Sequence, residues 1–379
     1  MHRPTFDLAD IVREHRHAVE QVQPLSAVQA HALSAITLCR TAALGGHQDV
    51  CTACGLEVGL SYNSCRNRHC PKCQALAQEH WIQARAAALL PVPHFHGVFT
   101  LPEDLRPLAR AHPCEIYEAL FRCARTTLLA MGRSRLGVRL GLTMVLHTWT
   151  RELAFHPHVH VLVTGGGLRL DGRAFKHARR DYLLPVKALA RLFQGKVMAA
   201  LRRLKAEGVF RLSDGAFGSL MATLARQRWV VYLKRTFHRP EDTLAYLGRY
   251  THRVGISNSR LLAVNDHEIR FRTKDGRTLG LPPITFLRRF IQHILPDGFK
   301  KIRHAGLYAS PKALTQAKAM LPPTADPPRK PTWQEALHIL TGRDPRQCTA
   351  CGGEIRMESI PALKAGPPRI RHPRPRSPD

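Results

Sequence analysis

The stretch H-P-H-V-H-V-L-V-T-G-G-G at residues 156–167 decides how this chain is read. Polar and apolar side chains alternate along its first half with the period of a strand. His158 and His160 therefore share one face while Val159 points to the other. Two imidazoles on one face offer nitrogen ligands to a single divalent ion and leave positions open for phosphate oxygens and water. The bland alternative is a satisfied pair of surface histidines on an edge strand. Four H-x-H triplets occur, at 15/17, 94/96, 156/158 and 158/160, against about one expected by chance, so context carries more weight than the triplet. G-G-G and the later D-G are read as turns, giving a buried strand that leads into a hairpin.

Around this strand the pattern predicts further strands at 94–102 (HFHGVFTLP), 140–150 (LGLTMVLHTWT) and 228–237 (RWVVYLKRTF), and a meander at 257–281 with N-D and D-G turns. Apolar positions spaced near 3.6 predict helices within 103–132, at 185–207, 215–227, 240–253 and 284–295. Two short helices precede them in residues 1–44. WIQARAAALL (81–90) is a helix stopped by P-V-P. Mixed elements of this kind predict an α+β domain over 92–310. The division expected is a helical segment 1–44, a metal-stapled module 45–91, the domain 92–310, and 311–379 as a Pro-rich linker, a partial C-x-x-C knuckle and a basic disordered tail. No internal repeat is read.

Tyr246-Leu-Gly-Arg-Tyr250 lies on the helix expected at 240–253, where i,i+4 spacing puts both phenols on one face. A phenol of pKa about 10 is a weak nucleophile at neutral pH unless a cation favours phenolate; Arg249, Arg253 and Lys234 are at hand. Two tyrosines packing a helix against a sheet is the competing reading.

Ten cysteines include three C-x-x-C pairs, about ten times the roughly 0.3 expected by chance. Cys51, Cys54, Cys70 and Cys73 are the default tetrahedral cage for structural Zn²⁺, with Cys65 and His69 as alternates. Arg66 and Arg68, between the knuckles, are candidates to present to DNA. Cys348-x-x-Cys351 has no second pair after it and could borrow His372, bind in trans or be vestigial. Cys39, Cys114 and Cys123 sit in apolar helical patterns and read as core cysteines.

Lys plus Arg number 57 against 28 Asp plus Glu, a formal charge of +29. Self-repulsion of that size is most simply explained by a polyanionic partner, nucleic acid ahead of membrane. The N-terminus lacks a signal-like apolar core, and no run of about 18 apolar residues occurs. A soluble, cytoplasmic protein with reduced cysteines is expected.

In combination, NSCRNRHCPKC (63–73), VFTLP (98–102), LHTW (146–149), HPHVHVLVTGGG (156–167) and YLGRYTHRVGISNSRL (246–261) resemble the HUH endonucleases, and within them the two-tyrosine transposases of the IS91 kind. The likeness covers about residues 45–310. It implies an α+β fold with a central antiparallel sheet flanked by helices, preceded by a small zinc-stapled domain. It also implies cleavage of single-stranded DNA through a covalent 5′-phosphotyrosine, in rolling-circle-like transposition. By that resemblance His158 and His160 hold Mg²⁺ or Mn²⁺ and Tyr246 and Tyr250 are nucleophiles. The third metal ligand does not transfer by motif, and His147 and His156 are candidates. The partners implied are single-stranded DNA at element ends, target DNA and a host helicase or replication machinery, in the bacterial nucleoid. No G-x-x-x-x-G-K-[ST] motif is present, so unwinding has to come from elsewhere. The alternative is a non-catalytic zinc-dependent DNA-binding protein.

Overall fold

Long alternating strands with few interior prolines pair with one another, and the computed structural model shows how. It describes residues 6–86, 88–179, 181–235, 248, 255–273, 275–322, 332–342 and 344–363. In chain order the labelled elements are helices α1 (Leu8–Val22) and α2 (Ala27–Leu38), strands β1 (Gly46–Cys51) and β2 (Glu57–Tyr62), α3 (Ala75–Ala86), β3 (His94–Thr100), α4 (Arg106–Ala111), α5 (Pro113–Met131), β4 (Val138–Trp149), β5 (Phe155–Arg169), β6 (Phe175–His177), α6 (Val186–Ala206), α7 (Asp214–Arg226) and β7 (Val231–Arg235). Strands β8 (Leu261–Val264), β9 (Ile269–Arg272), β10 (Thr278–Leu281), β11 (Ile302–Gly306) and β12 (Ile355–Ile360) follow.

The chain divides into two compact units, one formed by residues 1–77, 252–298 and 329–379, the other by 78–251 and 299–328. These interleave along the sequence and do not follow the contiguous division 1–44, 45–91, 92–310 and 311–379. Residues 252–298 group with the cysteine-bearing unit because the helix Pro283–Ile291 buries Phe286, Leu287, Phe290 and Ile291 in the same unit as Leu8, Ile11 and Val12 of α1.

In the second unit a six-stranded sheet runs β11-β4-β5-β3-β7, with β6 added to β5, and every pairing is antiparallel. Strands β4 and β5 are buried along almost their whole length, as expected when both faces of a sheet are covered. One face carries Phe95, Phe99, Val159, Val161 and Met144, all buried, with Phe99 edge-on to Phe193 of α6 at 5.1 Å. The G-G-G read as a turn stays inside β5: a Cβ on Gly166 would lie 2.3 Å from the Lys176 carbonyl oxygen, so glycine admits β6 alongside. The turn falls in 170–174, between β5 and β6, where the sequence pattern predicts one at Asp171-Gly172.

Part of the segment expected as linker is structured. The helix Pro311–Ala319 buries Ala313 and Ala317 against Leu90, Val92, Leu168 and Leu307, because its small residues recur at helical spacing on one side. Strand β12, which the sequence pattern does not assign, follows the Cys348-x-x-Cys351 knuckle and pairs antiparallel with β1, Cys51 opposite Ile355 and Gly46 opposite Ile360. Residues 323–331 and the basic tail 364–379 lie outside the described residues.

The first unit holds two small sheets, β12-β1-β2 and β10-β9-β8. Asp7 caps α1 by accepting from Ala9 N–H at 3.0 Å and also accepts from the Asn258 side chain at 2.9 Å.

Candidate functional site

Strand register builds the histidine site. His147 on β4 stands directly opposite His158 on β5, and His160 follows two residues on, over Val145 and Val98. One ligand nitrogen from each of His147, His158 and His160 lies within 4.8 Å of the other two. His158 Nε2 and His160 Nε2 are 3.1 Å apart, close to the roughly 3 Å edge of an octahedron with metal–ligand distances of about 2.1 Å. Three imidazoles with no carboxylate among them could offer nitrogen ligands to one divalent ion, a donor set that suits borderline transition-metal ions better than hard ones. His156, the other candidate third ligand, is not in the group: Arg106 donates to its Nδ1 at 3.1 Å. The edge-strand alternative is excluded for this pair, since β5 is flanked by β3 and β4.

Neighbours orient these rings. His158 Nδ1 lies 2.7 Å from the His156 carbonyl oxygen and donates to it, which assigns Nε2 as the ring's basic nitrogen. His160 Nδ1 lies 2.7 Å from His96 Nε2, on β3. Burial pushes the His96 imidazole down to about 4, so the ring is neutral and shares a single proton with His160 across this contact. Further along the face, His94 and His304 are also held near 4 by burial, His304 with Arg85 adding to the effect. The Tyr308 hydroxyl, 2.7 Å from His94 Nε2, and the Val92 carbonyl, 2.8 Å from Nδ1, satisfy both nitrogens of His94.

Helix α3 packs on this histidine face. Trp81, Ile82, Ala86 and Leu89 surround Leu162, two residues past His160, and Arg85 reaches His304 Nε2 at 3.2 Å. Tyr246 and Tyr250, with Arg249 and Arg253, lie outside the described residues. Gly248, between the two tyrosines, is described and abuts α3: a Cβ there would fall 2.4 Å from Ile82 Cγ1.

The cysteines form two clusters, not one cage. Cys39, Cys65, Cys70 and Cys73 make the first; Cys51, Cys54, Cys348 and Cys351 the second. The expected cage of Cys51, Cys54, Cys70 and Cys73 is thus split between them. Cys39, read as a core residue, ends α2 as its C-cap, and Cys65 N–H points to its sulfur at 3.5 Å. Cys65, an alternate, is a member, its sulfur 3.8 Å from that of Cys73. His69 is not, because its Nε2 accepts from Leu295 N–H and its Nδ1 donates to Asn67 Oδ1. Hydrogen bonds from Cys65 and Cys70 hold the Cys39 thiol down at about 7, while Cys70, bonded to Cys39, is pushed up. Cys123 is buried as expected, but Cys114, in the first turn of α5, is exposed.

The signal overlooked in the sequence is a verbatim repeat: Cys-Thr-Ala-Cys-Gly occurs at 51–55 and again at 348–352. Of the basic candidates, Arg66 is exposed. Arg68 donates to the Pro296 carbonyl at 2.7 Å and is engaged within its own unit. Lys234, exposed on β7 and opposite His96, belongs to the histidine face. Among the described residues no helix is long and apolar enough to cross a membrane.

An antiparallel sheet bearing a three-histidine group, with two four-cysteine clusters in a separate unit, defines an α+β protein with three groups that could hold metal ions. Comparison with known proteins narrows the class. Residues 11–101 match the family described as "Transposase zinc-binding domain", and residues 141–315 the family described as "Putative transposase". The chain is 39% identical, over 97% of its length and 99% of the relative's, to "Putative transposase y4qJ" of Sinorhizobium fredii. It is 30% identical, over 86% of its length and 83% of the relative's, to "Transposase for insertion sequence element IS801" of Pseudomonas savastanoi pv. phaseolicola. No solved structure matches. The chain belongs to the IS91 family of transposases, with an N-terminal zinc-binding domain, and its substrate is DNA.

Proposed function

We propose that this transposase nicks and rejoins single-stranded DNA at element ends through a covalent 5′-phosphotyrosine, made by Tyr246 or Tyr250. The observation that carries the reading is the convergence of His147, His158 and His160 on one sheet face, with their nitrogens within 4.8 Å. These three residues would hold Mg²⁺ or Mn²⁺, which supplies charge neutralisation at a phosphate oxygen and a fixed position for the phosphorus. The Tyr phenol oxygen forms a bond to phosphorus as the bond to the 3′-oxygen breaks, and the phenol's proton ends on that 3′-hydroxyl. One phosphodiester becomes one phosphotyrosine ester, so the step reverses without ATP and suits strand transfer. The contact between Gly248 and Ile82, with Ile82 packed on Leu162 beside His160, supports a tyrosine segment close to the histidines. Lys234, and Arg249 and Arg253 from the tyrosine segment, supply cations for the phosphate backbone and favour phenolate.

Cys39, Cys65, Cys70 and Cys73 would hold the structural Zn²⁺ of the N-terminal domain; four sulfurs with no open position suit a closed tetrahedral site. Exposed Arg66 extends from the loop this cluster fixes and is proposed to touch DNA. Unwinding is proposed to come from a host helicase or replication machinery, with the protein acting at the nucleoid.

The test is incubation of purified protein with labelled single-stranded DNA from element ends and Mg²⁺ or Mn²⁺, read on a denaturing gel. A metal-dependent protein–DNA adduct, absent in the Tyr246→Phe/Tyr250→Phe double variant, is expected. Tight binding without adduct on any substrate would make this a DNA-binding protein, and cleavage without adduct would make water the nucleophile.

A further inference from the structure

We infer that Cys51, Cys54, Cys348 and Cys351 form a second tetrahedral zinc site, which clamps the C-terminal strand β12 onto the N-terminal sheet. Two of its four ligands lie far beyond residues 11–101, the stretch that matches the zinc-binding domain family.

Sulfur spacing carries the argument. Cys51 and Cys351 sulfurs are 3.5 Å apart and Cys54 and Cys348 sulfurs 3.9 Å, with all four within 4.8 Å. A tetrahedron with Zn–S bonds of about 2.3 Å has an S–S edge of about 3.8 Å. A disulfide needs about 2.05 Å, so the four sulfurs are set for a shared ion and not for two bridges. The first cluster, inside the family match, shows the same edge of 3.8 Å between Cys65 and Cys73.

Each half is a knuckle of the same construction. In Cys51-Thr-Ala-Cys54-Gly55 and Cys348-Thr-Ala-Cys351-Gly352 the glycine is left-handed, φ 71° and 73°. Its N–H returns to the carbonyl of the first cysteine at 3.0 and 2.9 Å. Amides also point at the second pair's sulfurs: Ala350 N–H to Cys348 and Gly353 N–H to Cys351, both at 3.4 Å. Such bonds favour thiolate, the form that binds metal. The two knuckles meet because β1 and β12 pair up to Cys51 and Ile355, and Thr52 N–H then bonds the Glu354 carbonyl at 2.9 Å.

The donor set selects the ion. Four thiolates in a closed site suit Zn²⁺ and exclude hard, oxygen-preferring ions such as Mg²⁺. A shared ion would close this separation of nearly 300 positions at a second point beside the pairing of the six-residue strands β1 and β12, so that metal binding adds to folding free energy.

Native mass spectrometry and elemental analysis of the full chain test the site without reference to nuclease activity. Two zinc ions per chain are expected, falling to one in the Cys348→Ser/Cys351→Ser variant. One zinc in the wild type, iron in place of the second zinc, or a variant that retains both would overturn the inference. A second measurement needs no variant. Cys54 and Cys351 are exposed, so bare thiols there would react quickly with N-ethylmaleimide. Peptide mapping of the native chain is expected to find both protected until a chelator strips the metal; labelling as fast before stripping as after it overturns the site.

Discussion

His96 Nε2 lies 2.7 Å from His160 Nδ1, across the β3–β5 pairing. His96 thus fixes the orientation of the His160 ring without joining the three-histidine group, and with His160 as donor in this bond His160 Nε2 is the nitrogen left for a metal. His96→Ala is expected to weaken Mn²⁺ binding about 10- to 100-fold, with adduct formation restored by excess metal. Mn²⁺ titration by calorimetry, alongside adduct yield against metal concentration, reads both. Unchanged affinity would remove His96 from the site.

His147 stands opposite His158 and shares its cluster. His147→Ala should therefore cost as much Mn²⁺ affinity as His158→Ala, while His156→Ala, whose ring bonds Arg106, should cost little. Three parallel titrations decide it; equal effects at 147 and 156 would break the assignment.

Gly248 admits α3 only because it lacks a side chain. Gly248→Ala puts a Cβ within 2.4 Å of Ile82 Cγ1 and should destabilise the fold by about 1–3 kcal/mol, the usual range for overpacking. Adding Ile82→Ala should recover most of that loss. Urea unfolding of the two single variants and the double variant closes the cycle, and strict additivity would mean that the two residues do not touch.

His94 gives a pH dependence with a definite sign. Above about pH 6.5 the ring is neutral in both folded and unfolded chains and contributes nothing. Between there and about pH 4, its folded value, the unfolded chain takes up a proton that the buried ring refuses. Stability from this group thus falls as pH drops, by up to about 3 kcal/mol, and levels off below pH 4. In urea unfolding at pH 7.5 and 4.5, His94→Gln should show a smaller acid loss than the wild type. Equal losses would refute it.

Cys39 is predicted to count as a full ligand. Cys39→Ser should lower zinc content by the same one equivalent as Cys73→Ser, measured by elemental analysis, and leave the second cluster loaded. Retained zinc would return Cys39 to the core.

What was legible in the sequence was local. Period-two alternation located β3, β4 and β5, and period 3.6 located α1, α2, α6 and α7, because side-chain direction follows from backbone geometry within a few residues. H-x-H on a strand put His158 and His160 on one face for the same reason. The G-G-G failed as a turn because the approach of β6, which only the assembled sheet contains, decides what those glycines do. The bond from Arg68, a DNA-contact candidate, to the Pro296 carbonyl was hidden for the same kind of reason, since that acceptor is 228 positions away.

The sequence by itself determined that this chain holds thiolate knuckles and a histidine strand, since each is a motif of five residues or fewer. Only the tertiary structure decided which knuckle completes which cluster, that His147 joins His158 and His160, and that His69 and His156 do not. A ligand set closes in space, and its members sit as far apart in sequence as Cys51 and Cys351, 300 positions, with sulfurs 3.5 Å apart. Strand register sets that distance, and register is a property of the paired sheet and not of either strand alone.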